Sequence, residues 1–341
     1  MKKVLLILIP IFVLINYSIA QQNNKTLIGF YNLENYYDTI NDPNVDDEEF
    51  TPDGLNAYTG KVFKEKVENL TTVISKIGTN INPDGLTIFG VAEIENEDVL
   101  KVLAAHPRLK NRNYKIVHFN SPDKRGIDVG LFYQAAHFKV LNASAIPVVL
   151  DELGDNRPTR DILFVSGKLD GEVIHIFVNH WPSRSGGEAA SAPKRIKAAK
   201  ICKKIIDSLT ADNPNAKAIV MGDLNDDPIN ESTKLALNGK FKIKDVKTPK
   251  AMYNPFFDFY KEGIGTIAYQ DAWGLFDQII LSYGLVNKSE GYTFDHAEVY
   301  NQSYLVEKFG HWKGYPKRAF SGGTWNNGYS DHFPTFIVLK K

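Results

Sequence analysis

The chain has 341 residues, with 40 Lys and Arg against 40 Asp and Glu, a formal net charge of zero, and 43% hydrophobic residues. This is enough chain to bury a large core in one or two domains, and the balanced charge argues against a general polyanion-coating role while leaving a local basic patch open. The single cysteine, Cys202, excludes an intramolecular disulfide, so stability must come from the core.

The predicted elements begin with an export signal. Lys2 and Lys3 precede an unbroken apolar run over residues 4–15, followed by the small residues Ser18 and Ala20. That is the layout of a secretory signal peptide over residues 1–20, which leaves residues 21–341 as a mature chain in the periplasm or the medium. The run is shorter than the roughly 20 apolar residues of a spanning helix, and no stable membrane anchor is expected. Residues 26–31 (TLIGFY) read as a strand that stops at Asn32, and residues 38–60 as an acidic, turn-rich loop. Val62, Val67, Leu70, Val73, Ile74 and Ile77 recur at helical spacing over residues 61–77. Residues 86–92 (LTIFGVA) have the continuous apolar character of a strand buried on both faces, with Glu93 at its end.

Strands are predicted at residues 114–119 and 129–133, and a hairpin over residues 162–169 and 173–179 turns at Asp170 and Gly171. Residues 188–209 read as a helix with Ala198, Ala199, Cys202, Ile205, Ile206 and Leu209 on one face. Lys194, Arg195, Lys197, Lys200, Lys203 and Lys204 form a solvated opposite face. A strand over residues 218–221 delivers the GDLN segment at 222–225; further strands follow at 276–282 and 333–339, the last directly after His332. No internal repeat or Pro/Ser linker divides the chain, so one compact α/β domain over residues 21–341 is expected.

Several strands thus stop on a polar residue, which is where α/β proteins build ligand sites. Asn32, Glu93, Asp223, Asn225, Asp277 and Asp331 offer oxygen, and His180 and His332 offer imidazole. No Cys/His cluster has zinc spacing. Carboxylate and amide oxygens suit hard cations such as Mg²⁺, Mn²⁺ or Ca²⁺, and histidines beside carboxylates suit proton transfer and stabilisation of an anionic transition state. The set fits phosphoester hydrolysis better than acyl transfer, although composition alone does not decide it.

The wording and order of seven segments go further: FYNLEN (30–35), VAEIEN (91–96), RGIDVGLFY (125–133), NHWPSR (179–184), GDLND (222–226), FDQIILS (276–282) and YSDHFP (329–334). In that order they resemble the endonuclease/exonuclease/phosphatase superfamily, which includes deoxyribonuclease I-like nucleases, and they span essentially the whole mature chain. The resemblance implies a two-sheet β-sandwich flanked by helices, the four-layer α/β sandwich of deoxyribonuclease I. It implies a divalent cation, Mg²⁺ foremost with Mn²⁺ or Ca²⁺ as alternatives, held or oriented by Glu93, Asn32 and Asp331. Asp223 and Asn225 then orient water and contact the phosphate, and His180 and His332 hold phosphate oxygens or protonate the leaving group. Asp277 orients His332. Asp226 and Asp227 shape the loop.

Around this set, Arg125, Asp128 and Arg160 are candidate substrate contacts. Trp312, Lys317 and Arg318 belong to a segment at residues 311–325 (HWKGYPKRAFSGGTW) that either stacks bases and tracks a phosphate backbone or packs its own aromatic rings as a lid. Trp273 is a wall or core residue. Residues 265–282 resemble the matching stretch of exported bacterial nucleases, so a nucleic-acid phosphodiester is the leading substrate. A phosphatase or phosphodiesterase for lipid head-group, inositol or sugar phosphates is the alternative, against whose inositol branch Met221, Asp226 and Gln278 count. A non-catalytic binding module would show gaps at the acidic or histidine positions, and none is present. No obligate protein partner is evident.

Overall fold

The structure is a computed structural model and describes residues 25–287 and 290–341; the predicted signal peptide lies outside the described residues. In chain order the strands are β1 (Lys25–Tyr36), β2 (Ile88–Ile94), β3 (Tyr114–His118), β4 (Asp128–Gln134), β5 (Phe138–Ile146), β6 (Ile162–Leu169), β7 (Glu172–His180), β8 (Ala218–Asp223), β9 (Gly239–Lys240), β10 (Met252–Tyr253), β11 (Ile267–Tyr269), β12 (Ala272–Gly274), β13 (Asp277–Ser282), β14 (Thr293–Val299), β15 (Phe320–Ser321), β16 (Thr324–Trp325) and β17 (Thr335–Lys340). The helices are α1 (Gly60–Ile74), α2 (Glu97–Ala105), α3 (Glu188–Asp212) and α4 (Phe257–Lys261). No described helix is long and apolar enough to cross a membrane.

Two mixed sheets result, one in the order β14-β17-β1-β2-β4-β3 and the other β5-β6-β7-β8-β13-β10-β9. Their inner faces share one core in which Phe30, Ile88 and Ile337 of the first sheet join Val178, Met221 and Ile279 of the second. Gly90 lets the sheets close at the centre: a Cβ there would meet Val178 Cγ1 at 2.8 Å and Met221 Sδ at 2.9 Å. Helix α3 covers the outside of the second sheet with Ala198, Ala199, Cys202 and Ile206 against Phe177, Val220 and Ile280. Helices α1 and α2 cover the first, where a Cβ on Gly130 of β4 would meet Leu100 of α2 at 2.7 Å. Helix, sheet, sheet and helix make the four-layer sandwich that the resemblance implies.

Three of the departures from expectation have clear local reasons. Helix α2 was not anticipated, yet the Asn96 side chain caps it by accepting from the Asp98 and Val99 amides, and Glu97 and Asp98 complement its dipole. Strand β5 lies at a sheet edge with Leu141 half exposed, so its sequence lacks a buried strand's apolar run. On α3, Arg195 is completely buried rather than solvated. It lies three, four and seven residues before Ala198, Ala199 and Cys202, on their inward face, and its Nε is 2.7 Å from Asp226 Oδ1.

The parallel β7–β8 pair sets the second sheet's contribution to the site. At Gly222 (φ +153°) a Cβ would lie 2.2 Å from the Asn179 carbonyl oxygen. Gly222→Ala is therefore expected to cost about 2–3 kcal/mol of stability, visible as a lowered denaturant midpoint; an unshifted midpoint would show that the strands can move apart.

Candidate active site

One end of the sandwich gathers the polar strand termini. Asn32, Glu93, His180 and Asp223 stand at or near the C-terminal ends of β1, β2, β7 and β8, while Asp277 opens the antiparallel β13 and His332 shortly precedes β17. In the second sheet His180 pairs in register with Asp223, and Asp223 with Asp277. The three therefore form a row across neighbouring strands with their side chains on the same face. In the first sheet a register shift between Ala92 and Ile94 isolates Glu93, which has φ +58°. A bulge of this kind re-aims a side chain at local conformational cost. Glu34 (φ +49°), Asn35 (φ +52°) and Asn225 (φ +49°) share that left-handed conformation around the same end.

Across the sheets the side chains meet. Asn32 Nδ2 donates to Glu93 Oε1 at 3.2 Å and to Asp223 Oδ2 at 3.1 Å, while its Oδ1 accepts the Glu34 amide at 2.9 Å. Asn32 thus orients the two carboxylates with its nitrogen; the resemblance had placed it among the cation-holding residues, and its oxygen is turned to backbone here. The Asn35 amide holds Glu93 Oε2 at 2.9 Å. His180 Nε2 lies 3.6 Å from Asp223 Oδ2 and 3.9 Å from Glu93 Oε1. Glu93, His180 and Asp223 each present a ligand atom within 4.8 Å of the others.

His332 stands on the opposite side of Asp223. Its Nδ1 donates to Asp277 Oδ2 at 2.6 Å, and its Nε2 is 3.8 Å from Asp223 Oδ2 and 4.0 Å from Asp331 Oδ1. The Ser330 hydroxyl accepts the His332 amide and donates to the Asn32 carbonyl at 2.7 Å, tying the imidazole to β1. Thr266 Oγ1 accepts the amide of Asp277 at 3.2 Å.

The charges differ by environment. Burial works against protonation of His332, but the carboxylates of Asp277 and Asp223 outweigh it and hold its pKa well above the ordinary value, so it is a cation near neutral pH. Burial and the positive charges of Arg160, Arg125 and His332 push His180 well below the ordinary value, leaving it neutral. Asp223 is raised to about 7, by burial first and then by the Asp277 and Glu93 charges, against the lowering effects of His332 and the Asn225 amide. The carboxylates of Asp223, Glu93 and Asp277 outnumber the one cationic imidazole, His332, that faces them. The donor set, two carboxylates and an imidazole with ligand atoms within 4.8 Å of one another, fits a divalent cation held by Glu93 and Asp223 with His180 Nε2 alongside.

Other residues named from the sequence take different places. Asn225 donates from Nδ2 to the Trp181 carbonyl at 3.0 Å and its amide holds Asp223 Oδ1 at 3.0 Å, so it is beside the cluster. Asp331 stands at the rim, accepting from Arg318 Nη2 at 3.1 Å, outside the three-residue group. Asp128 is committed elsewhere: His118 Nε2 is 2.9 Å from its Oδ2, and the Ser121 amide and hydroxyl take Oδ1. Arg160 does not face a substrate either. It is buried, with Nη1 on Asp123 and with Nε and Nη2 donating to the carbonyls of His180 and Trp181 at 3.2 and 2.8 Å. It holds the strand end that presents His180. Arg160→Met, which removes the partner of Asp123 Oδ2 and one hydrogen bond from each of the His180 and Trp181 carbonyls, is expected to cost about 3 kcal/mol and to lower activity; a variant with wild-type melting and turnover would remove this positioning role.

Arg125 is half exposed, with its guanidinium 3.7 Å from Asp123. Lys317 lies over the Tyr329 ring, and Trp312 is half exposed beside Tyr315. As expected, Asp226 and Asp227 build the loop: Asp226 takes Ser232 and Arg195, and Asp227 accepts the Leu275 amide. The buried carboxylate of Glu34 was missed. It accepts the Ala319 and Phe320 amides at 2.6 and 3.2 Å, and burial beside Asp331 raises it to about 8 despite Lys66. It pins the segment that carries Arg318. FYNLEN contains Glu34, but nothing in that string distinguishes an inward carboxylate from an exposed one.

Comparison with known proteins agrees with this architecture. The model of the Endonuclease/Exonuclease/phosphatase family matches residues 27–341. No curated protein sequence matches. Among solved structures, a humanized TDP2 from D. rerio aligns at 13% identity over 93% of this chain and 100% of its own, with a TM-score of 0.55. The mannosyl-6-phosphatase of Bacteroides thetaiotaomicron aligns at 15% identity over 93% and 100%, with a TM-score of 0.54. D. rerio TDP2 complexed with a single-strand DNA product aligns at 14% over 93% and 99%, also at 0.54. These likenesses show the fold, and the family match over nearly the whole chain shows more: the chain belongs to the endonuclease/exonuclease/phosphatase family and is a phosphoester hydrolase.

Proposed function

We propose that the chain is an exported, Mg²⁺-dependent nuclease that cleaves phosphodiesters by direct attack of water. The observation that carries the choice of a diester is the pair of half-exposed guanidiniums beside the cluster. Arg125 comes from the β3–β4 connection and Arg318 from the β14–β17 connection, which reach the site from opposite sides of β1 and β2 in the first sheet. Their side chains are 48% and 45% exposed. A phosphodiester chain crossing the site meets a cation on each side of the scissile phosphate, whereas a monoester has no second phosphate for the outer one.

Glu93 and Asp223 would hold a divalent cation, which when bound would supply charge neutralisation on a phosphoryl oxygen. Asp223 orients water for in-line attack and accepts its proton. Cationic His332, fixed by Asp277, holds a phosphoryl oxygen as negative charge develops, and neutral His180 completes the polar lining. The phosphorus–oxygen bond to the leaving group then breaks, and that oxygen takes a proton from solvent water, while Asp223 returns the proton it accepted to solvent.

Export rests on residues 1–20, and N-terminal sequencing of protein from the periplasm or medium should begin near Gln21. The substrate reading is tested with plasmid DNA, single-stranded DNA, RNA, a sugar 6-phosphate and bis-p-nitrophenyl phosphate, each with Mg²⁺, Mn²⁺, Ca²⁺ or EDTA. Nucleic-acid cleavage with Mg²⁺ that EDTA abolishes is the expected result. Activity confined to monoesters would replace the nuclease by a sugar-phosphate phosphatase.

A further inference from the structure

The segment between β14 and β17 exposes more aromatic surface than its own packing requires. Phe309 is 80% exposed, Tyr269 at the β11–β12 turn 70% and Trp312 46%. Together with Tyr315, Arg318 and Asn326 they line a cavity of about 280 Å³. Scattered exposed rings need no explanation, but a contiguous apolar patch around a concave wall does.

This cavity is joined to the active site by two routes. Arg318 lines it and also donates to Asp331 at 3.1 Å. A relay of rings runs from the residue after His332: Phe333 stacks on Trp273 (centroids 6.0 Å, 17° between planes), Trp273 meets Tyr315 at 5.9 Å, and Tyr315 meets Trp312 at 5.3 Å. The Tyr315 hydroxyl, bonded to the Asp271 amide and carboxylate at 2.7 Å each, fixes that wall to the β11–β12 turn.

From this placement we infer that the cavity is a base-stacking subsite, which seats one unpaired nucleobase of the strand whose scissile phosphate lies at the Glu93–Asp223 cluster. The inference rests on the nuclease reading and deepens it. An aromatic wall offers π-faces to a flat ring, Arg318 stands where the attached backbone must pass, and Gln270, Glu307 and Asn326 put donors and acceptors on the rim for a base edge. A hydrocarbon chain would leave those polar groups unmatched. A base in a duplex already has both faces stacked, so the subsite selects single-stranded or frayed nucleic acid, with little dependence on which base enters.

The test is steady-state kinetics of the full protein with Mg²⁺ on a labelled single-stranded oligonucleotide, the same strand in a duplex, and bis-p-nitrophenyl phosphate. The wild-type protein should prefer the single strand. Trp312→Ala and Tyr269→Ala, both at exposed positions and checked by melting, should each raise KM for the single strand about tenfold with a smaller change in kcat, and Trp312→Phe should recover most of the loss. The single-strand preference and the ratio of kcat/KM between oligonucleotide and bis-p-nitrophenyl phosphate should fall at least fivefold in both alanine variants. If both alanine variants keep these ratios, or lose all three activities in parallel, the subsite is overturned while the nuclease reading stands. If the wild-type protein cleaves bis-p-nitrophenyl phosphate but neither nucleic acid, the nuclease reading itself falls.

Discussion

Asp223→Asn is expected to lower kcat for phosphoester hydrolysis by about 10³–10⁴-fold while leaving the melting temperature unchanged or raised. The two outcomes have the same cause. Asp223 is buried beside Asp277, with Glu93 within reach of the same cation, and burial together with these charges raises its pKa to about 7. A carboxylate in that position weakens the fold, so an isosteric neutral amide relieves repulsion and desolvation. On the proposed mechanism turnover loses the group that orients water and accepts its proton, and an amide accepts none. The check is turnover of bis-p-nitrophenyl phosphate set beside a melting curve. Near-normal turnover would mean that another group activates water, and a large drop in melting temperature would mean that Asp223 is a structural acceptor for Asn32 and Asn225.

The second large effect belongs to the His332–Asp277 pair. His332→Gln is expected to cost about 10²–10³-fold in kcat, the scale of removing one charge-stabilising donor from a preorganised site. Asp277→Asn should cost nearly as much, because the 2.6 Å bond to Nδ1 and the Asp277 charge both hold the imidazole cationic. The pair acts as one unit, so the double variant should be little worse than either single one. Strictly multiplicative losses would show that the two residues work independently.

The chemical core of the site was legible because each residue closes or opens an apolar run. Ile-Val-Met-Gly ahead of Asp223 and Val-Ala ahead of Glu93 read as buried strands, and a polar residue at such an end has few bland explanations. What the string does not carry is adjacency. That β7, β8 and β13 lie side by side, with His180, Asp223 and Asp277 in one row, depends on pairings between segments about 40–60 residues apart. The same limit explains Arg160, which reads as a free cation until its three partners on Asp123, His180 and Trp181 are seen. It also explains Glu34, whose partners Ala319 and Phe320 are nearly 300 residues away. Arg195 was misjudged for a different reason. Taken with its lysine neighbours it reads as part of the opposite, solvated face, although it lies three, four and seven residues before Ala198, Ala199 and Cys202, and the buried Asp226 that neutralises it stands on another element.

The central claim is that Glu93, His180 and Asp223, with Asn32 orienting the carboxylates and Asp277 orienting His332, form one cation-dependent centre. The most direct measurement is a Mg²⁺ titration of bis-p-nitrophenyl phosphate hydrolysis after chelation, run on the wild-type protein and on Glu93→Gln. The predicted result is no turnover in EDTA, full recovery as Mg²⁺ is added, and a requirement for at least tenfold more Mg²⁺ in Glu93→Gln. Turnover that persists in EDTA, or a Glu93→Gln titration that overlays the wild-type curve, would contradict it.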